Sequence, residues 1–351
     1  MRKLFSLIIA ATAVTVITLQ SCSKGGSGGG GTPPAGGLTV SVNKTSIRAD
    51  NFDELVITVK DLNGADVTSG STIKINGIPS ASNRFYSSTP GNITIKATKS
   101  GASSPDVTVT ATDPGTSPFT QKLLVEDYTG TWCVFCPRVG VSLKNYSSPR
   151  PNCIVVGIHG PSGSPDPYNY LYITQLASAF SVTGFPTVIV NRDAKWNETE
   201  AELNTQLSKR PPVGLGLETT VSGSTVTIKA KVKFDISTEL PLKLIVMLVE
   251  DGLVYPQANN NPTYGPDPIG NYIHKNTLRS AGTDIFGDDI PVAQQVIGTT
   301  WEKNLTINAA AVSNISNCKI IATVVYGTNG LGRRGSLNTQ DVTAGQTKNF
   351  D

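Results

Sequence analysis

Cys133 and Cys136 stand two residues apart in Trp132-Cys133-Val134-Phe135-Cys136-Pro137, at the end of an apolar run. Two thiols at this spacing can close a disulfide and reopen it. The chemistry this allows is thiol–disulfide exchange, in which a thiolate attacks a disulfide sulfur through a mixed-disulfide intermediate. A helix starting at the first cysteine would place that sulfur near unpaired backbone N–H groups and the positive end of the helix dipole, both of which favour the thiolate. Cys136, one turn on, would be the resolving thiol, and Trp132 would shield one side.

The elements that must hold this pair follow from patterning. Lys122 to Asp127 is expected as a strand, and Cys133 to about Tyr146 as a helix. Cys153 to Ile158 reads as an apolar strand, Tyr170 to Phe180 as a helix, and Pro186 to Val190 as a strand. Asn197 opens a last helix with Glu200 three residues on, as in a capping box. Strands alternating with helices imply an α/β layer with at least one parallel pairing. Before this segment, Leu38 to Asp113 alternates apolar and polar residues in short runs separated by Asn63-Gly64, Asn76-Gly77 and Pro90-Gly91-Asn92. That pattern suggests a β-sandwich. After it, Thr225 to Phe234, Leu242 to Val249 and Ile320 to Tyr326 return to β patterning, and a second sandwich is expected.

The order strand, Trp-Cys-x-x-Cys, helix, strand, helix, Gly184-Phe185-Pro186-Thr187, strand resembles the thioredoxin superfamily. The resemblance implies that Pro186 is a cis-proline beside the cysteines and that Trp132 and Phe185 face an incoming substrate chain. It also implies that Asp127, six residues before Cys133, is a buried acid assisting Cys136, with Glu126 the weaker candidate. Two features depart from that pattern: Val134-Phe135 replaces the usual Gly-Pro, and the strands after Val190 are abbreviated. Over about Gln121 to Asp351 the chain further resembles thioredoxin-like surface lipoproteins related to outer membrane protein twenty-eight. That likeness rests on Tyr128-Thr129-Gly130-x-Trp132-Cys133 and on Ile273-His274-Lys275-Asn276-Thr277-Leu278-Arg279. It implies an outer-membrane lipoprotein, with an adhesin role proposed for some relatives. The Leu38–Asp113 segment is similar in pattern to bacterial immunoglobulin-like domains and is read as a spacer.

The N-terminus reads as an address. Arg2 and Lys3 precede an apolar stretch from Leu4 to Thr18, too short for a membrane span, that ends in Leu19-Gln20-Ser21-Cys22. This matches a lipobox, so residues 1–21 are expected as a signal peptide and Cys22 as the lipidation site, anchoring the protein without a spanning helix. Residues 22–37, rich in glycine, would form a flexible tether. About 15 such residues span on the order of 20 Å. The expected organisation continues with the sandwich at 38–113, a linker at 114–120, the thioredoxin-like domain at 121–210 and the C-terminal sandwich at 211–351.

The remaining reactive residues are few. Cys153 and Cys318 could bridge the last two domains if the CxxC pairs internally, or could be buried free thiols, since four cysteines allow three connectivities. His159, His274, Trp196 and Trp301 are expected in structural roles. Asp284, Asp288 and Asp289 read as a solvated acidic loop, because calcium asks for about six or more oxygens. Zinc, which takes about four ligands, is not expected beside a single CxxC, and no cofactor is expected. Removing Arg2 and Lys3 leaves 27 of 29 basic residues against 26 acidic ones, a net +1. With no basic block, nucleic acid is excluded as a partner. The expected partners are protein thiols and disulfides or surface ligands, with the membrane reached through the lipid. Two functions remain open: exchange of disulfides on extracytoplasmic proteins, and surface adhesion with the CxxC as a structural staple.

Overall fold

The computed structural model describes residues 37–162, 165–327 and 333–351. The expected signal peptide, Cys22 and all but the last residue of the tether lie outside the described residues. The chain divides into two compact units, Met1–Asp113 and Pro114–Asp351.

In the first unit, two sheets enclose one apolar core. One sheet holds Leu38–Val42, Leu55–Asp61 and Arg84–Phe85. The other is built around Gly91–Lys99, with Val107–Thr112 on one side and Thr72–Ile75 on the other. Alternation does the work: Leu55, Ile57 and Val59 point inward while Val56, Thr58 and Lys60 do not. Asn76 and Gly77 both take positive φ, 49° and 81°, the conformation of the two-residue hairpin turn that Asn-Gly favours.

In the second unit, one sheet runs through strands that the sequence assigns to two domains. Its order is Ala194–Lys195, Thr187–Val190, Leu123–Thr129, Cys153–His159, Thr277–Ala281, Leu242–Glu250, Cys318–Tyr326, Ser336–Thr343. Division at 210/211 is therefore not how this unit folds. The physical reason is the Cys153–His159 strand, which is buried along nearly its whole length. Such a strand has no polar face to show water and serves poorly as a sheet edge. Gly157 admits the neighbour: a side-chain carbon there would stand 3.2 Å from the Lys275 carbonyl oxygen, and its N–H donates to Asn276 O at 2.9 Å. A second, four-stranded sheet (Thr300–Asn308, Thr225–Phe234, Val213–Ser222, Thr347–Lys348) packs against the Ser336–Thr343 strand. Buried Asn338 and Gln340 donate to the carbonyls of Val213 and Leu215, at 2.9 and 3.3 Å, tying the layers together.

Three α-helices lie beside the larger sheet's first half: α1 (Cys136–Ser147), α2 (Ile173–Ala179) and α3 (Glu200–Leu207). α1 starts three residues later than expected, so Cys133 sits in the turn before it. α3 is capped differently from the Asn197/Glu200 box. Thr199 is its N-cap, and it is Glu202 that accepts from Asn197 N, at 2.9 Å.

The sheet order also removes the possible Cys153–Cys318 bridge. Two strands separate the cysteines, so they lie about 14 Å apart across the sheet, whereas a disulfide needs Cα atoms within about 7 Å. Both are free and buried. Burial pushes the Cys153 thiol up to about 12 and the Cys318 thiol up to about 11.

Candidate functional site

Period-two alternation in Leu123–Thr129 sets Glu126 and Asp127 on opposite faces of the sheet. Leu124, Glu126 and Tyr128 face one side of the sheet. There Glu126 is fully buried against Arg192, whose Nη2 and Nε donate to its Oε1 at 2.7 and 3.0 Å. Leu123, Val125, Asp127 and Thr129 face the other side, where α1 packs through Val139, Leu143 and Tyr146. Asp127 is 8% exposed, its Oδ1 has no hydrogen-bond partner, and burial raises its carboxyl to about 7.

Cys133 and Cys136 are joined as a disulfide, with Cα atoms 5.4 Å apart. Cys133 N donates to Gly130 O at 3.0 Å and Cys136 N to Cys133 O at 3.2 Å, which makes a compact turn into α1. Phe135 is the N-cap and Pro137 stands at the first turn, where its missing N–H costs nothing. Both cysteines are covered, Cys133 to 2% exposure and Cys136 to 4%.

The cover comes from the far end of the chain. Residues 257–261 lie across the cysteine turn: Ala258 N donates to Thr131 O at 2.8 Å and Asn260 N to Val134 O at 3.1 Å. Gln257 Nε2 donates to Cys133 O at 2.9 Å and to Gly130 O at 3.2 Å. This clip is itself braced. Gln257 and Ile269 exchange backbone hydrogen bonds, Asn259 Nδ2 donates to Gly265 O at 2.7 Å, and Asn259 N donates to Asp267 Oδ1 at 3.0 Å.

On another side, Trp132 stacks on Phe185, with ring centroids 5.7 Å apart, and donates its indole N–H to Gly160 O at 2.8 Å. The Phe185–Pro186 peptide is cis. The loop bearing Phe185 thus lies against the cysteine turn.

A cavity of about 590 Å³ opens between α1, the Leu123–Thr129 and Cys153–His159 strands and the 269–276 segment. Asp127, Thr129, Cys136, Gly140, Tyr272 and His274 are among its walls. The Tyr272 hydroxyl reaches helix α1 at Gly140, 3.0 Å from where a side-chain carbon would stand, and burial together with the Asp127 charge raises its phenol above the usual range.

Residues 173–348 match the model of a family described as outer membrane protein Omp28. This chain belongs to that family. Membership makes it an outer-membrane protein. The matched segment contains the Phe185–Pro186 loop, the clip and Tyr272, while the cysteine pair lies outside it, with Cys136 standing 37 residues before its first residue (173 − 136). Among solved structures, HBP35 of Porphyromonas gingivalis is similar over 65% of this chain and 76% of that chain, at TM-score 0.54 and 18% identity, which indicates a shared fold. A protein from Agrobacterium tumefaciens matches at TM-score 0.40 and 11% identity, over 66% of this chain and 98% of that one, too weakly to indicate one. No curated protein matches the chain.

The structure adds members to the site of this Omp28-family protein that sequence reasoning overlooked. Asp166 Oδ2 accepts from Thr131 N at 2.7 Å and meets His159 Nδ1 at 3.0 Å, while its Oδ1 accepts from Tyr168 N at 2.8 Å. Burial alone would raise this carboxyl. The His159 hydrogen bond and charge and the two backbone amides outweigh it and hold the carboxyl below its ordinary value. His159 and His274, expected as separate structural residues, touch with ring centroids 5.1 Å apart. Burial, then His159, drives His274 down to about 4, and its Nε2 lies 3.2 Å from Tyr255 O. Nothing in the spacing of Gln257, Asp166 or Tyr272 marks them, since each arrives from a loop distant in sequence.

Trp196 is buried as expected, its indole N–H donating to Thr199 O at 2.9 Å. Trp301 is half-buried in the Thr300–Asn308 strand. In the acidic loop, Asp288 pairs with Lys303 at 2.6 Å and Asp289 with Lys243 at 2.9 Å. No cluster of potential metal ligands occurs among the described residues.

Proposed function

We propose that this outer-membrane protein, anchored through Cys22, exchanges disulfides with extracytoplasmic proteins through a thioredoxin-like Cys133/Cys136 centre. The observation that carries the reading is the unpartnered Asp127 carboxyl, raised to about 7 by burial, lining the same cavity as Cys136. A group poised near neutral pH can both take and return a proton there. Support for the thioredoxin-like arrangement comes from the parallel pairing of Leu123–Thr129 with Cys153–His159, the cysteine turn leading into α1, and the cis Phe185–Pro186 peptide beside Trp132.

In the reducing direction, the Cys133 thiolate attacks one sulfur of a substrate disulfide and the other substrate sulfur leaves as thiolate. Cys136 passes its proton to ionised Asp127 and attacks the Cys133 sulfur. The internal disulfide closes and the first substrate sulfur departs, so the substrate gains the two electrons that the protein loses. Cys133 stands in the turn that leads into α1, whose unpaired N-terminal amides favour a nearby thiolate. The Trp132–Phe185 stack offers an apolar shelf for the substrate chain, and Pro186 orients it. The immunoglobulin-like unit then acts as a spacer.

The test is insulin reduction by wild type beside Cys133→Ser. Loss of turnover in the variant is expected, and equal activity would sink the reading. A second reading has one observation in its favour: both cysteines are covered and the clip occupies the turn's carbonyls. In that reading the disulfide staples a surface adhesin. It wins if the pair resists mild reductant in the folded protein and Cys133 traps no partner.

A further inference from the structure

We infer that the cavity beside α1 is a binding site for a low-molecular-weight thiol carrying amino and carboxyl groups, of about tripeptide size, which exchanges with the Cys133–Cys136 disulfide at Cys136. The inference rests on the exchange reading above and assigns the side from which the centre is reset.

Three observations select Cys136 as the sulfur reached. Cys136 is among the cavity's walls and Cys133 is not. Cys133 lies under the clip, with its own carbonyl and that of Gly130 taken by Gln257. Trp132 and Phe185, the shelf for a protein chain, are also absent from these walls. The cavity is therefore a separate approach to the same disulfide.

The chemistry of the walls selects the ligand class. Deep in the cavity, the buried Asp127 presents an oxygen with no hydrogen-bond partner, a seat for an ammonium or another N–H donor. Lys144 also lines the cavity, is exposed, and makes no ion pair among the described residues. Lys275, the other lysine lining it, already faces Asp251 at 3.5 Å. Lys144 stands two helical turns beyond Cys136, about 12 Å along the axis. A carboxylate held by Lys144 and a sulfur at Cys136 must belong to a molecule longer than a single amino acid. Val141, Val155 and Ile273 supply apolar wall. A volume of about 590 Å³ suits a molecule of that size and falls in the usual range for small-ligand sites.

The exchange balances as follows. A small thiolate attacks Cys136 Sγ, the Cys133–Cys136 bond breaks, and Cys133 leaves as a thiolate in the turn before α1. A second small thiolate attacks the sulfur of the bound one, Cys136 departs as a thiolate, and the two protein thiolates take up from water the two protons that the small thiols released. Two thiols become one small disulfide while the protein disulfide becomes a dithiol.

The experiment uses Cys133→Ser and Cys136→Ser proteins with oxidised glutathione as the probe, following the mixed disulfide by intact mass. The doubly substituted protein controls for Cys153 and Cys318. We expect the protein that retains Cys136 to form its adduct faster than the one that retains Cys133, by on the order of tenfold, because access decides which sulfur reacts. Lys144→Gln in the Cys133→Ser background should slow this adduct about two- to fivefold, the range one surface charge contributes. It should leave the reaction with the uncharged hydroxyethyl disulfide unchanged. Faster reaction at Cys133, or equal slowing with both probes, would overturn the site while leaving exchange intact. If neither single variant reacts with either probe while folded, but both do when unfolded, the exchange reading fails and the site falls with it.

Discussion

Replacing Asp127 by Asn keeps the shape of the side chain and removes its charge, so it isolates what burial of this carboxyl does. The group's ordinary value is 3.8, and burial raises it to about 7. A carboxyl raised on folding contributes nothing unfavourable below pH 4, where both states are protonated. The folded state then loses ground as pH climbs through the raised value. Each unit is worth about 1.4 kcal/mol, so wild type should lose up to about 4 kcal/mol between pH 4 and pH 8 that the Asn protein keeps. All other titrating groups are common to both proteins and cancel in the difference. The assay is denaturant unfolding followed by tryptophan fluorescence with the disulfide intact. It is selective, because Trp132, Trp196 and Trp301 all belong to the Pro114–Asp351 unit. The Asn variant should match wild type near pH 4 and exceed it by several kcal/mol at pH 8. Parallel stability–pH curves, within about 1 kcal/mol, would show that Asp127 ionises freely and would remove its role as proton acceptor for Cys136.

Arg192→Met should destabilise the same unit by about 3–5 kcal/mol, because it leaves the fully buried Glu126 without its partner; an unchanged unfolding midpoint would contradict this. Gln257→Leu removes the two hydrogen bonds over the cysteine turn. It should lower stability by about 1–3 kcal/mol and speed reduction of the Cys133–Cys136 disulfide by dithiothreitol, read by quenched alkylation. Cys153 and Cys318 should stay unlabelled by iodoacetamide at pH 8 in the folded protein and react fully in denaturant. Rapid labelling of either would contradict their burial and raised thiols.

Short-range signals told most where one element sufficed. The Trp132–Cys136 motif, the helix after it and the Gly184–Thr187 loop all follow from residues adjacent in sequence. The preference for Asp127 over Glu126 came from the resemblance to thioredoxins, and alternation adds that the two side chains face opposite sides. The hairpin at Asn76-Gly77 follows from the two positive φ values it requires. The N-terminal sandwich was legible because its strands alternate cleanly between core and solvent.

What the sequence left open depended on which segments meet. Continuity of the sheet past residue 210 rests on Gly157 admitting the backbone of Lys275 and Asn276 beside a strand buried on both faces. The separation of Cys153 from Cys318 rests on strand order. The cover over Cys133, the Asp166 anchor and the Tyr272 wall of the cavity come from loops, whose backbone and side-chain hydrogen bonds carry no periodic signature. The amino-acid sequence by itself determined that two cysteines three positions apart would stand between a strand and a helix, because strand and helix patterning are local. Only the tertiary structure decided that both cysteines are covered and that Cys136 lines a cavity, because that depends on residues 257–276 folding back more than a hundred positions along the chain.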